Sequence, residues 1–153
     1  MSTPTQRLAE LGLTLPPVAK PLAAYTPAIT VGNQVWVSGQ LPLSDGNLVA
    51  TGRLGEAVDL AEGAEAAKIA ALNALAAIAD QAGGLDNVAR ILKSVVFVAS
   101  TTDFTAQPQV ANGASELLGE VFGTPHVRSA VGVAVLPIDA PVEVELVAEL
   151  TAR

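Results

Sequence analysis

The sequence predicts a single α+β domain, one mixed β-sheet with two helices packed on one face. Three observations lead there. Two helix-period segments, one opening at Asp59 and one following Asp103, are separated by a β-branched run from Arg90 to Ala99. Paired strand-like runs lie at both ends of the body. Two helices are too few to cover both faces of such a sheet, so both belong on the same face. At 153 residues the chain suits one domain.

Taken in order, Pro4 followed by Thr5-Gln-Arg-Leu-Ala-Glu-Leu-Gly12 reads as a short helix, with proline in its first turn and glycine at its stop. Pro16, Pro17 and Pro21 lack a backbone donor and keep the next stretch on the surface. Residues 1–22 are thus expected to form a helical extension and proline-rich linker, an appendage to a body at 23–153. Ala28–Val31 and Gln34–Gly39 flank the turn dipeptide Gly32-Asn33, a hairpin signal, and Asp45-Gly46 offers a second turn. Gly52 to Ala57 is expected to be a further short strand or loop.

Asp59 with Glu62 three residues later has the form of a helix N-cap and its reciprocal partner. Ile69, Leu72, Leu75, Ala76 and Ile78 then recur at helical spacing, and Gly83-Gly84 supplies the stop. Arg90 to Ala99 reads as a central strand buried on both faces. The second helix has Pro108 near its first turn and Val110, Ala114, Leu117, Leu118 and Val121 as its inner face, and it ends at Gly123 and Pro125. Two last strands, Val127–Leu136 and Val142–Leu150, are separated by Pro137, Asp139 and Pro141. The expected order is β-β-β-α-β-α-β-β. A Val-rich sheet face left bare would be a large apolar patch, so self-association is expected.

Half the residues are apolar but only 3% are aromatic, and 28 are alanine, so the core must be filled by small aliphatic side chains. With 8 Lys+Arg against 15 Asp+Glu, the net charge of −7 opposes nucleic-acid binding. The basic residues are scattered over positions 7, 20, 53, 68, 90, 93, 128 and 153. Without cysteine there is no disulfide, thiolate metal site or thiol nucleophile, and one histidine cannot build a multi-histidine metal cluster. No glycine-rich phosphate motif, HExxH or GxSxG occurs, so nucleotide-dependent and common hydrolase classes lack support, and no metal site is expected. Arg7 and Glu10 interrupt the only leucine-bearing segment near the start, and the longest apolar tract, Ile69–Ala79, is far shorter than the ~20 residues of a bilayer crossing. A cytoplasmic protein away from membranes is the expectation.

Alternation along Val127–Val135 puts Arg128, Ala130, Gly132 and Ala134 on one face and Val127, Ser129, Val131, Val133 and Val135 on the other. The valine face reads as core. The opposite face sets a guanidinium at the rim of a floor of small residues, where a planar fork matches a carboxylate. Along the last strand Val142, Val144, Leu146, Ala148 and Leu150 read as inward and Glu143, Glu145, Val147 and Glu149 as outward. Glu143 is a candidate acid/base or water-orienting group if the two strands pair or meet across a subunit interface. The simpler alternative is that Arg128 pairs with an acidic neighbour and Glu143 belongs to a solvated face. His126 falls at the mouth of the same groove, and Trp36 is expected to be packing rather than a stacking platform.

The segments Tyr25, Trp36-Val-Ser-Gly-Gln-Leu-Pro42, Lys93–Val98 leading to Asp103-Phe104, Arg128-Ser-Ala-Val-Gly-Val133, Leu136-Pro137 and Val142-Glu-Val-Glu145 resemble the YjgF or Rid (reactive intermediate deaminase) family. The resemblance spans roughly Ala23 to Leu150. It is also similar to the divergent chorismate-mutase-like branch that carries an endoribonuclease label and an N-terminal helical extension. It implies a chorismate-mutase-like fold assembled as a homotrimer, with ligand clefts between subunits. It further implies hydrolysis of small 2-imino acids or enamines, such as 2-aminoacrylate, to 2-keto acids and ammonia, without a cofactor. In that reading Arg128 grips the carboxylate, Glu143 orients water and Tyr25 lies in the cleft, while Ser38, Gly39, Thr102 and Ala130 line the substrate. The chain departs from the deaminase branch at two positions, Ala130 in place of a cysteine and Thr102 in place of an asparagine. A non-catalytic trimeric binder of small carboxylates, or a regulatory protein, is the second expectation, and an endoribonuclease the third.

Overall fold

In the computed structural model, which describes residues 2–152, a helix α1 (Pro4–Glu10) precedes the hairpin of β1 (Ala28–Val31) and β2 (Gln34–Val37). A two-residue pair follows, β3 (Leu43–Ser44) with β4 (Asn47–Leu48), then helix α2 (Leu60–Ala82), strand β5 (Val88–Ala99) and helix α3 (Gln107–Phe122). Strands β6 (Val127–Val133) and β7 (Val142–Leu150) close the chain. The capping signals act as read. The Asp59 carboxylate accepts from the Glu62 amide at 2.8 Å while Glu62 accepts from the Asp59 amide at 3.3 Å, and Gly83 and Gly123 end the two long helices.

The main sheet has the order β1-β2-β7-β5-β6, and every pairing is antiparallel except β5 with β6, the two strands joined through α3. Helix α2 lies over β7, β2, β1 and β5, and α3 over β5 and β6, so both occupy one face as expected. The fold is a mixed α+β sheet with three helices rather than two. Helix α1 does not stand off as an appendage: Leu8 is 3% exposed within the core, α1 packs on α3, and the Asp86 carboxylate accepts from the Thr5 amide at 2.8 Å. Residues 14–22 do run over the surface, with no backbone hydrogen bond of their own among the described residues. No helix is long and apolar enough to cross a membrane.

Of the two readings left open for Gly52–Ala57, strand or loop, the backbone selects the loop, and it corrects the expectation for β5. Gly52 and Gly55 take φ of +106° and +86°, so the segment turns instead of extending, and only Leu54 makes single bridges, to Val58 and Ser100. Strand β5 is central, but it is buried on alternating residues: Ile91, Ser94, Val96 and Val98 face the helices, while Val95 and Phe97 stay partly exposed on the other side.

The larger correction concerns β6. The alternation holds, but the faces are exchanged: Val127 and Val131 are 67% and 44% exposed, and Arg128 and Ala130 point to the helix side. The reason is the proximity of α3. Arg128 reaches Asn112 and Ser115 of α3, Ala130 packs on the core, and a Cβ on Gly132 would meet the Gln107 side-chain amide at 2.9 Å. The open face of the sheet accordingly carries Ile29, Val31, Trp36, Val127 and Val131, together with Glu143, Glu145 and Glu149 of β7. Trp36 is half-exposed there, with its indole N–H donated to Gln34, and is not packed inside the subunit.

The helical layer is held by alanines. Ala66, Ala67, Ala70, Ala71, Ala74 and Ala77 of α2 are essentially inaccessible, and at the α2–α3 crossing Gly113 lies directly on the Ala64 carbonyl, leaving no room for a Cβ. Gly119, on the same helix, faces open space. Gly113→Ala is expected to destabilise the fold by about 2 kcal/mol through overpacking, whereas Gly119→Ala is expected to stabilise it by roughly 0.5–1 kcal/mol through helix propensity. Urea unfolding of the two variants checks the opposite signs.

Candidate functional site

Glu143 stands at the start of β7, between the fully buried Val142 and Val144, and alternation turns it to the open face. Its carboxyl group lies over Gly39, so closely that a Cβ at that position would fall on Oε1. The Gly39 segment is held in place by two reciprocal backbone bonds, Gln40 N to Val144 O at 2.8 Å and Val144 N to Gln40 O at 2.9 Å. Buried Asn73 of α2 also donates to Leu41 O and Leu43 O, at 2.9 and 3.0 Å. Partial burial, with a smaller contribution from Glu145, pushes the Glu143 carboxyl above its ordinary pKa.

Tyr25 and Ser38 belong to the same corner. Ser38 donates its hydroxyl to Thr26 O at 2.7 Å and its amide to Pro27 O at 2.8 Å, which pins the loop carrying Tyr25 to the end of β2. Tyr25 is half-exposed and lines a small recess with Leu22, Pro27, Gly39 and Leu41. Of the residues singled out from sequence, then, Tyr25, Ser38, Gly39 and Glu143 come together.

Arg128 does not join them within the subunit. It pairs with Ser94 of β5 and faces the helices, whereas Glu143 pairs with Phe97 on the opposite face, and β5 separates their strands. Two strand spacings alone put about 10 Å between them. No carboxylate pairs with Arg128 among the described residues; the ion pairs there are Arg53 with Glu56 and Arg90 with Glu149. Arg128 instead donates from Nη1 to Asn112 Oδ1 at 2.7 Å and to Ser115 Oγ at 3.1 Å, and from Nη2 to Pro108 O at 3.3 Å. His126 Nε2 lies 3.0 Å from Ser115 Oγ, and burial together with the Arg128 charge pushes the imidazole below its ordinary pKa. The reading of Arg128 as the partner of an acidic neighbour is thereby replaced.

Thr102 is exposed in the β5–α3 loop, and Ala130 packs against the core opposite Val96. The partners of Arg128 that sequence reasoning missed are Asn112 and Ser115. Their signal was present: Asn112 and Ser115 fall at i and i+3, neighbouring polar positions beside the apolar face of α3.

The model of the family described as "YjgF/chorismate mutase-like, putative endoribonuclease" matches residues 5–150. Protein TCP17 of Trypanosoma cruzi is 44% identical over 146 residues, covering 94% of this chain and 91% of that one. A 2-iminobutanoate/2-iminopropanoate deaminase of Dermatophagoides farinae is 28% identical over 135 residues, covering 87% and 91%. Among solved structures, one described as a putative endoribonuclease from Shewanella oneidensis superposes with a TM-score of 0.94 at 36% identity, covering 97% of this chain and all of that one. The chain belongs to the YjgF/chorismate-mutase-like family.

Proposed function

We propose that the protein is a homotrimeric deaminase that hydrolyses small 2-imino acids to 2-keto acids and ammonia, at a site each subunit completes with its neighbour. The observation that carries this reading is the split arrangement. One subunit offers a carboxyl group over Gly39 beside Tyr25, and on another face an arginine whose charge no carboxylate among the described residues neutralises. The open apolar sheet face around Ile29, Val31, Trp36, Val127 and Val131 is the surface a second copy would cover. A relative named as a deaminase of 2-iminobutanoate and 2-iminopropanoate supports the substrate class.

The chemistry asks little of the protein. An imine carbon is already electrophilic, so catalysis consists of holding the carboxylate, delivering water and moving protons. Arg128 supplies a cation for the substrate carboxylate. Glu143, its carboxyl raised in pKa by burial, accepts a proton from the attacking water and passes it to the imine nitrogen, giving the carbinolamine. It then takes the hydroxyl proton and delivers it to the amine, so that the C–N bond breaks, the carbonyl forms and ammonia leaves. A carboxylate-binding protein without turnover is the alternative. It is favoured by Thr102 and Ala130, because a core-packed methyl stands where the deaminase branch has a thiol and a short hydroxyl where it has a carboxamide.

With iminopropionate generated in situ by a coupled enzyme, the protein is expected to accelerate pyruvate release. Arg128→Ala is expected to lose about 100-fold or more in kcat/KM, and Glu143→Gln about 100-fold in kcat. Binding of pyruvate with no acceleration of any imine would establish the binder instead. Gly39→Ala, whose Cβ displaces the Glu143 carboxyl, is expected to lower kcat about 10-fold or more while thermal unfolding changes little. Light scattering is expected to give about three times the 15.5 kDa chain mass, and a monomer at micromolar concentration would overturn the shared site.

A further inference from the structure

We infer that Asn112, Ser115 and His126 are positioning residues, a neutral cradle that fixes the Arg128 guanidinium and leaves one bidentate edge and its full charge for a ligand carboxylate. The inference rests on the reading of Arg128 as the carboxylate-holding group. A guanidinium has five N–H donors in a rigid fork. Nη1, with two hydrogens, donates to two acceptors, Asn112 Oδ1 at 2.7 Å and Ser115 Oγ at 3.1 Å, and Nη2 donates to one, Pro108 O at 3.3 Å. The Nε hydrogen and the second Nη2 hydrogen have no acceptor among the described residues. These two nitrogens share an edge of the fork, the spacing a carboxylate fills with two parallel bonds.

Every group that holds Arg128 is uncharged. That is unusual company for an arginine in a chain with 15 acidic residues and a net charge of −7, where a carboxylate partner is easily supplied. A neutral cradle restrains the long side chain without cancelling its field, so a ligand anion meets an ordered and uncompensated cation. His126 completes the hydrogen-bond order. Ser115 Oγ accepts from Arg128, so its own hydroxyl hydrogen is available to His126 Nε2, which accepts it when the imidazole is neutral and carries its proton on Nδ1. Burial and the neighbouring guanidinium both favour that neutral form. The serine is thereby prevented from turning its hydrogen toward the guanidinium.

The test is calorimetric titration with 2-ketobutyrate, together with steady-state kinetics on the imine. Asn112→Asp keeps an acceptor on Nη1 but adds a competing carboxylate, and it is expected to weaken 2-ketobutyrate at least 10-fold. Ser115→Ala is expected to weaken it about 3- to 10-fold, Ser115→Thr to restore it to within twofold, and His126→Gln, which retains an acceptor, to stay within about threefold. In kinetics these losses are expected in KM, with kcat within about twofold, because water handling belongs to Glu143 on the other half of the site. If Asn112→Asp and Ser115→Ala bind 2-ketobutyrate like the unaltered protein while Arg128→Ala does not bind, the cradle is overturned and the reading of Arg128 stands. If Arg128→Ala itself binds normally, that reading fails, and the cradle with it.

Discussion

The register of β5 with its two neighbours decides the side of the sheet on which every functional group appears. Phe97 opposite Glu143 and Ser94 opposite Arg128 differ by three positions along one strand, an odd number, so the two groups must emerge on opposite faces. No side-chain rotation corrects this. A one-residue slip of β6 would bring Arg128 to the face of Glu143 but would break its bonds to Asn112 and Ser115 and take Ala130 off the core. A subunit of this topology therefore presents Arg128 and Glu143 on opposite faces, and the proposed reaction, which needs both, has to draw them from different copies.

The uncovered face gives the same requirement a second origin. Helices α2 and α3 shield one side of the sheet and leave on the other a band of β-branched and aromatic residues interrupted by the glutamates of β7. Burying Ile29, Val31, Trp36 and Val127 against another subunit recovers free energy on the order of 25 cal/mol per Å² of apolar surface. The glutamates cannot follow them into a dry interface without a cost of their own. Glu143, already raised in pKa by partial burial inside one subunit, is the first of them to meet that cost. A carboxyl group in this position is poised to exchange protons, which is what the proposed hydrolysis asks of it.

Much of this architecture was legible because its signals are local. The Asp59–Glu62 cap, the Gly32-Asn33 turn, the inner face of α3 and the inward set of β7 each depend on residues within a few positions of one another. The faces of β6 were not, since alternation reports parity and leaves open which parity a helix covers. Valines were read as core on hydrophobicity, whereas the deciding quantity was the space beneath α3, a tertiary distance. Trp36 was misread for the same reason. Leu8 was overlooked because one buried leucine on a seven-residue helix leaves no periodic trace. Of the candidate site, Tyr25, Ser38, Gly39 and Glu143 were found through a motif, and their grouping follows from the bridge between Gln40 and Val144. Asn112 and Ser115 escaped because an exposed-looking polar stripe on a helix acquires meaning only when a strand is laid beside it.

That helix and strand are set together by the smallest side chain in the helical layer. Gly113 sits between Asn112 and Ser115 in sequence and touches the Ala64 carbonyl of α2, so the depth to which α3 sinks is limited by backbone against backbone. Hydrogen-bond acceptors placed by a contact of that kind have little freedom to drift, because neither side of it can bend as a long side chain would. Asn112 and Ser115 inherit this fixed depth and pass it to the Arg128 fork through bonds of 2.7 and 3.1 Å. The alanine-rich composition, which at first describes only a core of small groups, thus bears on recognition. Larger side chains along α2 would push α3 away from it, and a displacement of about 1 Å is enough to carry the acceptors beyond hydrogen-bond reach of Arg128.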